Sequence, residues 1–152
     1  MQSDELSRAL KEVTADTPVL VNALPGLIHH GTRAPKGAIR PFGLMTIAEV
    51  EREENTASVA LVTYEVTLQV VVNEQIGGPG GAGTILRTFH RYWDRLRSLP
   101  DGILDPDYAR FVLIRPLGET EIGEADEKEF GKDVILGTTS WHILLSEHSP
   151  EL

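Results

Sequence analysis

The chain has 152 residues, 41% of them apolar and 24% charged, with a net charge of −9, which suits one folded domain and excludes a disordered or fibrous chain. It contains no cysteine, so disulfides, thiol catalysis, zinc ribbons and iron–sulfur clusters are excluded. No apolar run reaches the roughly 18 residues a membrane span needs, and the acidic start Met1-Gln2-Ser3-Asp4-Glu5 has no apolar leader core, so a soluble protein made in the cytoplasm, with no membrane partner, is expected.

Ser3 is a helix cap, with Asp4 and Glu5 favourable in the first turn, and Leu6, Leu10 and Val13 recur at i, i+4 and i+7 as one narrow apolar stripe. Thr17-Pro18 reads as a second helix start, a cap followed by proline at the first helical position. That segment stops at Pro25-Gly26, and its Val19 and Val21 leave a strand open as the alternative. Residues 29–41, with the bases Arg33, Lys36 and Arg40, read as a loop. Phe42 to Arg52 is a strand that turns polar towards its far end. Next, Val62, Tyr64, Val66, Leu68, Val70 and Val72 alternate with Thr63, Glu65, Thr67, Gln69 and Val71, the period of two of a strand with one wetter face. The two strands form an antiparallel hairpin.

Thr84 to Leu99 is the clearest helix. At 100° per residue Ile85, Leu86, Phe89, Tyr92, Trp93, Leu96 and Leu99 fall on one arc, while Arg87, Arg91 and Arg95 lie opposite. Pro100-Asp101-Gly102 ends it. Phe111 to Leu117 is a strand, residues 118–133 a protruding acidic hairpin or loop, Val134 to Leu145 the last strand, and 146–152 a flexible tail. The expected fold is a single α+β domain over 1–152. It has a mainly antiparallel sheet of about four strands with helices packed on one face, in the order α(α)ββαββ. The Thr84–Leu99 helix lies on the alternating strand, because each needs a partner for its apolar side.

The chemistry-bearing patterns are weak. Gly78-Pro79-Gly80-Gly81-Ala82-Gly83 matches GxGxxG between a strand and a helix. Its preceding strand alternates instead of being apolar throughout, no acid-ended second parallel strand follows, and no lysine makes it a Walker loop. Gly77, Gly78, Gly80, Gly81 and Gly83 are therefore expected to form a flexible surface loop, and no cofactor is expected. Ser140 and His142 share a strand face about 6.6 Å apart along the backbone, too far for a nucleophile and its base, and no GxSxG elbow is present. Adjacent His29 and His30 point to opposite sides of an extended chain with no acid cluster beside them, so no metal is expected. With no catalytic signature left, the chain is not read as an enzyme.

Charge is segregated. Glu119 to Asp133 carries −5, Glu49 to Glu54 carries −3, and Thr84 to Leu99 carries +3. A nucleic-acid binder usually shows a basic surplus, so gripping DNA is not expected. The row Arg87, Arg91 and Arg95 is either a solvated helix face or a docking stripe for an acidic partner, and a second copy of this chain supplies acidic surface.

The layout resembles that of the tail-terminator, or tail-completion, proteins of long-tailed bacteriophages. The similar features are the helix from Ser3-Asp4-Glu5-Leu6-Ser7-Arg8-Ala9-Leu10, the loop ending Arg40-Pro41-Phe42, the hairpin Val59 to Val72, the helix ending Tyr92-Trp93-Asp94-Arg95-Leu96, and the closing strand Ile135 to Leu145. The likeness is one of order and texture over about 140 residues. It implies a non-enzymatic virion protein, assembled in the host cytoplasm, that forms a hexameric ring at the head–tail junction. Such a ring caps the tail tube, contacts the tail tube protein and a head-side neck or connector protein, and lets DNA pass without specific binding. An acidic bore lining or ring face is then expected from Glu119, Glu121, Glu124, Asp126, Glu127 and Glu129, or from Glu49 and Glu51. Salt should favour such a ring by screening its self-repulsion. The competing readings are a head-side connector or stopper of the neck and, from another class, a small-ligand-binding protein or enzyme on the same scaffold.

Overall fold

The computed structural model describes residues 2–31, 33, 36–54, 58–73, 81–93 and 109–148. Its elements are α1 (Gln2–Asp16), α2 (Pro18–Ala23), β1 (Ile28–His30), β2 (Phe42–Glu54), β3 (Val59–Asn73), α3 (Ala82–Trp93), β4 (Ala109–Glu124), α4 (Glu127–Phe130) and β5 (Val134–His148). Among the described residues, five strands form one sheet in the order β1-β2-β3-β5-β4, with β1 parallel to β2 and the other neighbours antiparallel.

This architecture is mixed α/β and corrects the expected α+β fold of about four strands in the order α(α)ββαββ. The extra strand, β1, is only three residues long, too short to show a period of two, and its last two residues lie in the stretch that reads as a loop. Pro18 resolves the ambiguity of Val19 and Val21 in favour of a helix: it sits in the first turn of α2, and the Thr17 carbonyl accepts from the amides of Leu20 and Val21 at 3.0 and 3.1 Å. Residues 118–133 are not wholly a protruding loop. Residues 118–124 continue β4, whose pairing to β5 shifts register between Leu117 and Glu121, and α4 is a single turn capped by Asp126, whose side chain accepts from the Lys128 amide. Nor is 146–148 a flexible tail: His148 pairs with Val59 and Glu147 with Ala60, and Glu147 is buried. Residues 149–152 lie outside the described residues, as do Leu96 and Leu99 of the expected helix.

The alternation of β3 places Val62, Tyr64, Val66, Leu68 and Val70 in the main core, with Trp141, Ile143 and Leu145 from β5 beside them. Leu6 and Leu10 of α1, Leu20 of α2, and Ile85, Leu86, Phe89 and Trp93 of α3 close over that face. Each fully buried side chain of this kind contributes roughly 1.5–3 kcal/mol. Trp93 joins the layers: its ring meets Phe89 edge-on at 5.3 Å and Trp141 at 4.7 Å, and its Nε1 donates to Thr14 Oγ1 on α1 at 3.2 Å. Gly137 of β5 lies directly under α3, where a Cβ would come within 2.8 Å of Leu86 Cδ1. A smaller cluster of Phe42, Leu44, Val71 and Val134, with Phe130 of α4 against it, covers one end of the opposite face. The remainder of that face, including Thr63, Glu65 and Thr67 of β3 and Ser140, His142 and Leu144 of β5, is half-buried by neighbouring strands. Among the described residues no helix lies over it.

Candidate functional site

The fold distributes the charged segments rather than gathering them. Sheet register places Glu51 level with Thr63 of β3, and Glu124 level with Ile135 of β5, itself level with Val72. Thr63 to Val72 along β3 is about 30 Å. The outer half of β2 thus forms one acidic end of the sheet, and Glu121, Glu124, Asp126, Glu127 and Glu129 form the other. All are exposed. The side chain of Glu119 lies outside the described residues.

Glu49 and Glu51 face opposite sides of the sheet, because the register shifts between them and Glu49 pairs with Tyr64 whereas Glu51 pairs with Thr63. Glu49 is also tied down. Its Oε1 accepts from Arg52 Nε at 3.0 Å and Nη2 at 2.7 Å, and the same Nη2 donates to Glu147 Oε2 at 2.9 Å. Tyr64 donates its hydroxyl to Glu147 Oε1 at 2.5 Å. Burial, reinforced by that bond to Glu147, raises the Tyr64 hydroxyl well above the usual tyrosine range, while the bond to Glu49 raises Arg52 further. This network satisfies both oxygens of a buried carboxylate and pins β2, β3 and β5 together. It is a structural device, and sequence reading missed it; the signal was the phase of β5, in which Trp141, Ile143, Leu145 and Glu147 share the buried side.

Of the basic row, Arg87 and Arg91 are exposed on α3, and Arg87 Nη2 donates to Thr84 Oγ1 at 3.2 Å. Arg95 lies outside the described residues, as do Gly77, Gly78 and Gly80. Gly81 immediately precedes α3 and Gly83 is its second residue, so neither belongs to a free loop, and a Cβ on Gly83 would approach Ile122 Cδ1 of β4 at 3.1 Å. Ser140 bonds Thr67 Oγ1 at 3.0 Å, and His142 Nε2 lies 3.7 Å from Glu65 Oε1, so the two pair across the sheet with different partners. His29 and His30 are spent on backbone, donating to the carbonyls of Gly26 and Met45 at 2.9 and 3.2 Å. His90, for which the sequence offers no partner, meets Thr139 Oγ1 at 2.7 Å and lies against the Trp141 ring. Among the described residues no three metal-ligating side chains converge.

Two concavities remain of interest. A cleft of about 630 Å³ lies between Arg33 with residues 36–42 and α4, with Arg40 bridging them: its Nη2 donates to the Phe130 carbonyl at 2.6 Å and its Nη1 to Asn73 Oδ1 at 3.1 Å. Mixed charge lines it, with Arg33, Lys36 and Lys128 against Asp126 and Glu129. A smaller hollow of about 350 Å³ crosses the uncovered sheet face from Glu51 on β2 to Arg115 on β4. The large exposed apolar side chains of the sheet lie on its outer long strands: Val50 on β2, and Val112, Leu113 and Ile122 on β4. Lone exposed apolar residues are ordinary; here, among the described residues, one lies on β2 and three lie on β4. No protein-family model and no curated protein matches the chain.

Proposed function

We propose that the chain is a structural virion protein of the bacteriophage head–tail junction, a tail terminator that assembles as a ring of about six copies on the tail tube. The observation that carries this reading is the pair of unlike flanks, Val50 with its acidic neighbours on β2 and Val112 and Leu113 on β4. Unlike flanks on opposite sides of a molecule associate head to tail, and such contacts close into rings when the rotation between copies permits. In this ring the strands run roughly along the axis, and the two acidic ends of the sheet become its two faces or bore rims. Duplex DNA carries one negative charge per roughly 1.7 Å, so acidic rims keep it from adhering while it passes. Arg87 and Arg91, on the helix layer, are then available to the tail tube protein or to a head-side neck protein.

Native mass spectrometry and negative-stain microscopy of the purified chain test the proposal together. The expected result is an annular particle of roughly 100 kDa, six copies of the 16.7 kDa chain. A monomer whose melting temperature rises with a small ligand would overturn it in favour of the ligand-binding reading.

A further inference from the structure

We infer that copies of this chain dock through a specific electrostatic match, the outer half of β2 on one copy against the N-terminal half of β4 on the next. The inference rests on the ring reading and adds the residues that select the contact. Only part of β2 is available for docking. β1 covers Gly43, Leu44 and Met45, and beyond Met45 the outer side of β2 makes no further backbone hydrogen bond among the described residues. From Thr46 to Glu54 this open stretch carries four acids and one base, with Arg52 committed to Glu49 and Glu147. Glu51 and Glu53 pair with Thr63 and Leu61 of β3, which places both on the uncovered side of the sheet. Both are exposed.

The opposite flank has the opposite sign. Ala109 to Gly118 carries Arg110 and Arg115 and no acid. Arg115 is exposed on the same side of the sheet as Glu51, since it pairs with His142, which pairs with Glu65. The heights agree as well. Glu51 is level with Thr63, Thr63 with Leu144, and Leu144 with Leu113, so one rung of the sheet runs from Glu51 to Leu113. Arg115 lies two residues further along β4, about 7 Å and within reach of a long side chain. The chain directions alternate across β2, β3, β5 and β4, so β2 and β4 run in opposite senses. Rotation about an axis along the strands preserves height. It therefore brings Val50 and Glu51 of one copy beside Val112, Leu113 and Arg115 of the next, and sets Glu53 level with Arg110, since Glu53 pairs with Leu61, Leu61 with Ser146 and Ser146 with Arg110.

Charge on an exposed strand commonly serves to prevent association. Here it does so selectively: β2 repels the β2 of another copy, whereas β2 and β4 attract, so like-to-like pairing is disfavoured and head-to-tail pairing is admitted.

The test is sedimentation of the full chain and two charge-reversal variants, Glu51→Lys with Glu53→Lys, and Arg115→Glu, with far-UV circular dichroism confirming that each is folded. Wild type should sediment as a ring at micromolar concentration. Each variant should need about tenfold more protein or greater to assemble. An equimolar mixture should regain the ring, because alternating copies make every contact complementary, half of them between two reversed flanks and half between two wild-type flanks. Should a reversal fail to fold, Glu51→Gln with Glu53→Gln and Arg115→Gln replace it, with loss of assembly expected and no rescue on mixing. A wild-type ring that neither variant weakens overturns this docking and leaves the ring reading standing. A mixture that stays dissociated also overturns it, as does a wild-type particle of two copies joined through their uncovered faces. A wild-type monomer at roughly 100 µM overturns the ring reading and this inference together.

Discussion

Replacing Trp93 by alanine is the sharpest probe of how the helix layer is held. The side chain is fully buried, at 0% exposure, and it joins α1, α3 and β5 through the Thr14 hydroxyl, Phe89 and Trp141. Removing a buried indole loses its transfer energy and leaves a cavity, together about 3–5 kcal/mol. The two aromatic contacts add roughly 0.5–1.5 kcal/mol beyond area. Thr14 keeps its own donated bond to the Leu10 carbonyl at 2.7 Å, so no buried donor is stranded and no large polar penalty follows. The expected loss is about 3.5–6.5 kcal/mol, a fall in melting temperature of about 7–26 °C for a domain of this length. Urea titration followed by far-UV circular dichroism reads it without relying on tryptophan emission. Trp93→Phe, which keeps a ring but not the N–H, should lose less than half as much. If Trp93→Ala lowers stability by under about 1 kcal/mol, the three layers are not joined at this residue and the packing described is wrong.

The Tyr64 hydroxyl is raised above its ordinary value by burial and by its bond to Glu147, so the folded state holds that proton after the unfolded chain has lost it. Its stabilisation is complete below about pH 10 and declines above it, by about 1.4 kcal/mol per pH unit; urea midpoints from pH ~9 to ~11.5 should show this fall, and Tyr64→Phe should remove this component. At neutral pH the same variant should lose about 1.5–3 kcal/mol, because Glu147 Oε1 loses its donor inside the fold. Gly137→Val should cost about 1–3 kcal/mol by pushing against Leu86 and Ala82, and Leu86→Ala in the same chain should relieve part of that penalty in a double-mutant cycle.

Elements whose own period reports burial were legible in the sequence. The alternation from Val62 to Val70 is strand β3, and the arc of Ile85, Leu86, Phe89 and Trp93 is the buried side of α3. What stayed hidden depends on pairing with distant partners. Ile28–His30 is a strand because β2 accepts it in register, and three residues have no period of their own. Ser146, Glu147 and His148 look like a polar tail because a buried glutamate resembles a solvated one until Tyr64 and Arg52 are placed beside it. Charge runs behaved likewise. The sequence shows that Glu49 and Glu51 are near each other, whereas one shifted residue in β2 turns them to opposite faces and leaves only Glu51 on the uncovered side. Arg115 drew no attention for a related reason, since nothing local to Phe111–Leu117 reveals that its rung is two residues from that of Glu51.

That arrangement also changes what salt should do. Net charge alone predicts that added salt aids assembly, since each copy carries −9 and repels the next. The acidic ends of the sheet lie about 30 Å apart, so repulsion involving the far end is felt at 0.01 M salt, where the screening length is about 30 Å, and is nearly gone at 0.15 M, where it is about 8 Å. Contacts of Glu51 with Arg115, and of Glu53 with Arg110 on its own rung, act over a few ångströms and survive that change. They weaken only as the screening length approaches roughly 3 Å near 1 M. Assembly should therefore strengthen from about 0.01 to 0.15 M sodium chloride and weaken again towards 1 M. Sedimentation across that range separates the two terms: a steady rise to 1 M would leave no role for the flank charges, and a steady fall from the lowest salt would show that their attraction outweighs the self-repulsion throughout.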